Sequence, residues 1–346
     1  MPDSLGLRDA LFDLPEQLVA ASRSLPVTGP LPDHDDVANV LLLGTGAAGW
    51  VCDLLAAVAG PFMPVPVVTV KGYEPPSYVN DRTLVFAISF SGDTEETIDA
   101  ASTAAAAGGR IIAITQGGQL RDLASSWTAP IVPIPDDIPM PRAGIGAVAI
   151  PPMVILERMG LFPGASHWIE AAVAQLTARR DQLFLPAGEP APGNPAEVLA
   201  RKIGRSLPVI YGGGGLGAIA ASRWKTQFNE NAKTPAFANT VPELCHNEVA
   251  GWGQHGDLTR QVFSMVFLRH DHEHPQVMRR FDLVREWLQE VVMDIHEVQA
   301  EGEGALAQLL DMTLLGDLVS LHAAAQEELD PGPVPVLDQL KASLAT

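Results

Sequence analysis

Two segments of this chain repeat one design. NVLLLGTGAAGWVCDLLA, residues 39–56, and PVIYGGGGLGAIAASRWK, residues 208–225, each run from an apolar stretch through a glycine turn into a stretch of helix formers. A buried strand that passes straight into a helix is continued by a crossover to a parallel neighbour, so each copy predicts a parallel sheet covered by helices. Around the first copy, strand-like runs at 40–43, 65–70, 84–88, 110–115 and 131–134 alternate with helix-like runs at 47–58 and 94–107. Two further helical stretches, 142–160 and 168–183, close that half. The segment LPAGEPAPGNP, residues 185–195, cannot continue a helix and reads as a linker. Beyond it the pattern restarts, with strands at 209–211, 262–268 and 295–298 and helices at 218–229, 277–291 and 306–329. The expected organisation is α/β in two domains, residues 1–185 and 196–346, joined by a linker over 186–195.

A length of 346 residues suits two such domains, and 47% hydrophobic against 18% charged residues supplies enough apolar surface for packed cores. Acidic residues number 41 and basic ones 22, a net charge of −19 that argues against partners such as nucleic acid or an anionic membrane surface. An anionic ligand has to be caught locally instead. Only Lys71, Lys202, Lys225, Lys233 and Lys341 are lysines. The first 18 residues interleave Asp3, Arg8, Asp9, Asp13 and Glu16 with apolar residues, unlike the core of a signal peptide. Two cysteines, Cys52 and Cys245, are too few to staple a fold of this size, and the expectation is a cytoplasmic protein. The longest apolar stretch, 143–156, is too short to span a bilayer and contains Pro151 and Pro152, so it reads as a buried helix.

Both glycine turns satisfy G-x-G-x-x-G, at Gly44, Gly46 and Gly49 and at Gly212, Gly214 and Gly217. A dinucleotide site would add an acidic residue after the second strand to hold the ribose, but Lys71 stands there. The turns therefore read as tight strand-to-helix packing, with an NADP-type site through Lys71 as the alternative. The sharper signal is SFSGDTEET, residues 89–97. Hydroxyls of Ser89, Ser91 and Thr94 around Gly92 at a helix start form an anion site without lysine, beyond what an ordinary capping box needs. In the second half, Glu230 closes a helix between Asn229 and Asn231, and His246 lies in a loop with Glu243 and Glu248 nearby. A carboxylate and an imidazole in one pocket supply acid–base chemistry, whereas a Glu230–Lys233 pair and a plain loop histidine are the structural readings.

SFSGDTEET, the PRAG of residues 141–144, NENAK at 229–233 and PELCHNEVAGW at 242–252, in this order and spacing, resemble the signature segments of bifunctional phosphoglucose/phosphomannose isomerases. These belong to the sugar isomerase (SIS) domain superfamily, and the resemblance spans nearly the whole chain. It implies two SIS domains of flavodoxin-like topology, a homodimer, no metal and no cofactor, and conversion of glucose 6-phosphate and mannose 6-phosphate to fructose 6-phosphate. By position, Ser89, Ser91 and Thr94 resemble the phosphate-binding residues. Glu230 resembles the base that moves a proton between C1 and C2 through a cis-enediolate, and Arg142 the cation that stabilises it. His246 resembles the ring-opening group, lent in this family by the partner subunit, and Lys341 its assistant.

One position departs from the family pattern. Ala48 stands where the first glycine turn usually carries a phosphate-binding serine, with Thr45 as the neighbouring hydroxyl that compensates. One hydrogen bond to a charged group is worth about 1.5–3 kcal/mol, so the alternative is a SIS protein that binds a sugar phosphate without turning it over. The run His270, Asp271, His272, Glu273, His274 has metal-ligand chemistry but the position of a solvated loop. Cys245 beside His246 imitates a nucleophile pair, and Trp224 and Trp252 read as packing residues.

Overall fold

A computed structural model of the chain describes residues 3–23 and 25–344. Its contacts form two compact units, residues 13–174, and residues 1–12 together with 175–346. In the unit of residues 13–174, the strands are β1 Asn39–Leu43, β2 Val67–Val70, β3 Thr83–Ile88, β4 Arg110–Thr115 and β5 Ile131–Pro133. All pair in parallel, in the order β2-β1-β3-β4-β5. Successive side chains of a strand face opposite sides. Leu41, Leu43, Val85 and Ala87 accordingly share one core with Ile98 and Ala101 of the helix Glu95–Ala106 and Leu120 and Ala124 of the helix Gly118–Ser126. Their neighbours Val40, Leu42, Leu84 and Phe86 are equally buried and serve the other face. The stretch with Pro151 and Pro152 is indeed helical, Ile145–Arg158, and buried from Ile145 to Leu156.

The unit of residues 1–12 and 175–346 repeats the plan with β6 Leu207–Gly213, β7 Phe237–Val241, β8 Phe263–Arg269 and β9 Asp294–Gln299, parallel in the order β7-β6-β8-β9. This is the order of the first sheet without its last strand. Both units are flavodoxin-like α/β layers, as the resemblance implies. The helix Gly304–Gln326 is long and apolar enough by length and composition to cross a membrane, but 94% of its apolar window is buried inside the fold. Its two aspartates are registration points. Asp317 receives two hydrogen bonds from the guanidinium of Arg223, at 2.9 and 2.6 Å, and Asp311 two from Arg179, at 2.7 and 2.8 Å. All four side chains are buried.

The structure adds elements that composition did not reveal. β7 reads FANTV and is exposed at Phe237 and Ala238, so its edge position leaves no apolar run to recognise. The helix Pro195–Ile203 begins inside the expected linker: Asn194 caps it through Glu197 N at 3.0 Å, and Pro195 takes the first helical position, where its missing N–H costs nothing. Residues 186–195 are a closed turn rather than an open linker. Leu185 N donates to Glu189 O at 2.7 Å, Ala191 N to Leu183 O at 2.8 Å, and Arg8 pairs with Glu189 at 3.0 Å. The division between the compact units falls earlier, within the helix Ala165–Leu183.

Two stability predictions follow from these buried charges. Asp317→Ala leaves Arg223 buried without its counter-charge and should lower unfolding free energy by about 3–5 kcal/mol, whereas Arg223→Met with Asp317→Leu should stay nearer wild type in urea. Burial pushes the imidazole pKa values of His270, His296 and His322 below 6.5. The unfolded chain then binds more protons than the folded one below about pH 6.5, so stability should fall as pH drops through that window. Urea midpoints across that range should show the decline, and His322→Gln, which keeps an acceptor for Asn194, should make it shallower.

Candidate functional site

Strand order decides where the first unit can hold a ligand. The chain leaves β1 toward β2 on one side and β3 toward β4 on the other, so the carboxyl ends of β1 and β3 flank an open crevice, the topological switch point. Leu43 of β1 is in register with Ala87 of β3, which sets the Gly44–Gly46 turn beside the turn that starts at Ser89. Thr45 is the N-cap residue of the helix Gly46–Val58, yet its side chain makes no capping bond. Thr94 holds the same place before the helix Glu95–Ala106, again without a capping bond. Both hydroxyls are thus available at helix N-termini, where backbone N–H groups and the helix dipole favour an anion.

The Ser89–Thr94 turn is built before any ligand arrives. Ser89 is 1% exposed, and its Oγ accepts from Gly92 N at 3.1 Å and donates to Thr94 Oγ1 at 2.9 Å, so the Thr94 hydroxyl keeps its own O–H as a donor. Ser91 Oγ accepts from Asp93 N at 3.2 Å. Ser89 therefore orients the turn, and Ser91 and Thr94 present its donors. Gly92 has φ +83°, and a Cβ there would lie 1.8 Å from Gly117 O, so only glycine fits. Asp93 is no cap for its own helix. Its Oδ1 accepts from Gln119 N at 2.9 Å, at the start of the neighbouring helix. Arg142, 7% exposed, sits in the short 3-10 turn Pro141–Ala143, and Gly144 at the end of that turn packs close to the ring of Phe90. Thr45, Ser91, Thr94 and Arg142 thus belong to one end of one unit. Ala48, 9% exposed in the first turn of its helix, offers no hydroxyl there.

The equivalent crevice of the second unit is filled by its own side chains. His270 Nε2 donates to Gly213 O at 2.6 Å while its Nδ1 accepts from His272 N at 3.1 Å, which defines a neutral imidazole. Arg269 clasps the buried Glu273 through Nε and Nη2, at 3.0 and 2.8 Å, and stacks 4.4 Å over Phe281. His274 caps the helix Pro275–Leu288 by accepting from Gln276 N, and Asp271 bonds Gln308. The side chains of His270, Asp271, Glu273 and His274 are thus engaged in structural hydrogen bonds. Lys71 likewise pairs with Asp53, which removes the cation an NADP-type site would need. Burial pushes the Cys245 thiol up, away from thiolate chemistry.

Glu230 and His246 occupy opposite ends of the second sheet. Helix Gly214–Glu230 starts at the carboxyl end of β6 and returns along the sheet, so Glu230 lies about 24 Å of helix from Gly214. β7 then runs back parallel to β6 and reaches the level of Gly213 at Val241, just before the loop of His246. The backbone around Glu230 is pinned: Asn229 Nδ2 donates to Thr234 O at 3.0 Å, and buried Asn231 donates to Ser320 Oγ at 2.9 Å. His246 is exposed and closes a 3-10 turn. Its loop is anchored by Glu248, which accepts from Tyr211 OH and, at 2.6 Å, from Asn239 Nδ2, while Trp252 Nε1 donates to Tyr211 OH at 3.1 Å. The sequence marked Glu248 only as a nearby acid. Trp224 is fully buried and donates to Met312 O at 2.8 Å, a packing residue as expected. Lys341 is exposed on the helix Pro335–Leu344, which buries none of its residues.

Comparison with known proteins agrees with this architecture. Residues 36–126 match the SIS domain family, and residues 193–344 match the bacterial phospho-glucose isomerase C-terminal SIS domain. A protein of Caldicellulosiruptor bescii named bifunctional phosphoglucose/phosphomannose isomerase is 33% identical over 97% of this chain and 98% of its own length. Another of that name from Aquifex aeolicus is 30% identical over 81% of each chain. A glucose-6-phosphate isomerase like protein from Thermus thermophilus superposes with a TM-score of 0.64 at 21% identity, covering 98% of this chain and 95% of its own, and shows the shared fold. With a conserved two-unit SIS architecture and an identity of 33% along almost its whole length, the chain belongs to the bifunctional phosphoglucose/phosphomannose isomerase family.

Proposed function

We propose that this protein is an aldose–ketose isomerase that interconverts glucose 6-phosphate and mannose 6-phosphate with fructose 6-phosphate, as a cytoplasmic homodimer needing neither metal nor cofactor. The observation that carries the reading is the preformed hydroxyl turn at the switch point of a chain whose full-length relatives are named for this reaction. The phosphate is held by Ser91, Thr94 and Thr45 with helix N–H groups, and Ser89 orients the turn. Glu230 removes the proton next to the carbonyl and returns it to the adjacent carbon, and the proton never needs to leave the pocket. Arg142 faces the enediolate oxygens with a charge that it cannot lose. His246, assisted by Lys341, delivers a proton to the ring oxygen and takes one from the C1 hydroxyl during ring opening.

The homodimer is supported by topology. Glu230 and His246 stand at opposite ends of one sheet, so a site that uses both draws His246 from a second copy. Two free cysteines suit a reducing compartment.

Purified protein in EDTA should form fructose 6-phosphate from both aldoses, and no product from either would overturn the reading. Glu230→Gln should lower kcat by about 10²–10⁴-fold. Ser91→Ala should raise KM about tenfold or more with little change in kcat, the signature of a lost hydrogen bond to a charged group in ground and transition states alike. Mixing inactive Glu230→Gln and His246→Ala proteins should restore turnover by subunit exchange. Continued inactivity of confirmed mixed dimers would place both groups on one chain.

A further inference from the structure

Lys233 has a task that neither its motif nor the proposed chemistry assigns. It follows the end of the Gly214–Glu230 helix with φ +54°, a left-handed conformation that glycine or asparagine adopts at lower cost. The contacts of the lysine side chain offset that backbone cost. Its ammonium reaches three main-chain carbonyls, Glu230 O, Pro333 O at 2.7 Å and Pro331 O at 3.3 Å. An ammonium has three N–H donors and no acceptor, so carbonyl oxygens are partners it can serve.

The three carbonyls belong to two separate stretches of chain. Glu230 is the candidate base, and residues 331–333 lead directly into the helix Pro335–Leu344, which carries Lys341 and buries none of its residues. The turn ahead of that helix is held from the other side as well: Asp330 accepts from Gly332 N at 3.0 Å and from Ser4 N at 3.4 Å, and hydrogen bonding, first from Ser4, with a smaller contribution from the charge of Lys233, lowers its pKa. The exposed helix therefore depends on this turn for its placement.

We propose that Lys233 is a positioning residue that clamps the Lys341-bearing C-terminal segment to the end of the Glu230 helix. The proposal rests on the isomerase reading for its catalytic consequence, but the clamp itself is testable without turnover. In the full-length protein, Lys233→Met keeps the aliphatic stem and removes the donors. Lys233→Gly removes them while relieving the left-handed backbone, and serves if the methionine variant folds poorly. Hydrogen exchange of amides 331–344 should rise in either variant while exchange in the β6 and β8 strands stays unchanged. For turnover, kcat should fall about tenfold to a hundredfold with KM nearly constant, as when a reacting group is misplaced by a fraction of an ångström to an ångström, and Lys233→Arg should recover part of the loss.

Unchanged exchange over residues 331–344 overturns the clamp. Faster exchange with unchanged kcat overturns the catalytic role, and so does a loss of kcat that the arginine variant fails to relieve. A wild-type protein without isomerase activity sinks the isomerase reading and the catalytic consequence together, and the exchange result still decides the clamp.

Discussion

A parallel strand is always left at its carboxyl end and the next one entered from the opposite end, and nearly every functional feature of this protein follows from that constraint. It collects the turns after β1 and β3 at one crevice, so Thr45 and the Ser89–Thr94 turn become neighbours although they are 44 residues and more apart in the chain. It sends the helix that carries Glu230 away from the crevice of its own sheet, while β7 returns the His246 loop toward it. The same rule therefore gathers the candidate hydroxyl residues at one end of the first sheet and sets Glu230 and His246 at opposite ends of the second.

The two sheets share strand order but not chemistry at their switch points. In the first, small hydroxyl residues bond within the turn after β3, and Ser91 is exposed. In the second, Arg269 pairs with Glu273, and the His270 ring is held by Gly213 O and His272 N. A duplicated scaffold thus carries a hydroxyl-lined turn in one copy and charged, hydrogen-bonded packing in the other. The charge balance fits this division. Several of the cations of a chain with net charge −19 are engaged, Arg179 and Arg223 with Asp311 and Asp317 and Arg269 with Glu273 inside the fold, and Lys71 with Asp53 at the surface. An anionic ligand is left to hydroxyls and helix starts.

Much of the first sheet was legible because fully buried parallel strands read as continuous apolar runs, as in NVLLL and TLVFAI, and their helices as proline-free alanine-rich runs. β7 was not legible, since an edge strand with exposed Phe237 and Ala238 carries no such run. The helix Pro195–Ile203 was hidden by its own start signal, because the Asn-Pro pair that opens it also marks a turn. Likewise SFSGDTEET announced a hydroxyl-rich turn at a helix start, while the burial of Ser89 and the exposure of Ser91 depend on the bond to Gly92 N and on the support of residues 115–119.

By itself, then, the sequence determined the repeat of strand, glycine turn and helix, the hydroxyl cluster, and the residue types available for proton transfer, because local apolar periodicity and turn chemistry act over a few residues. Only the tertiary structure decided which of them meet. Whether Lys71 is free or paired, whether the His270–Glu273 run binds a metal or fills a crevice, and whether Lys233 is a plain surface cation or a clamp on Pro331 and Pro333, each depend on partners far away in the chain. Those encounters are set by strand order and by the buried pairs on the helix Gly304–Gln326, and no window of neighbouring residues contains them.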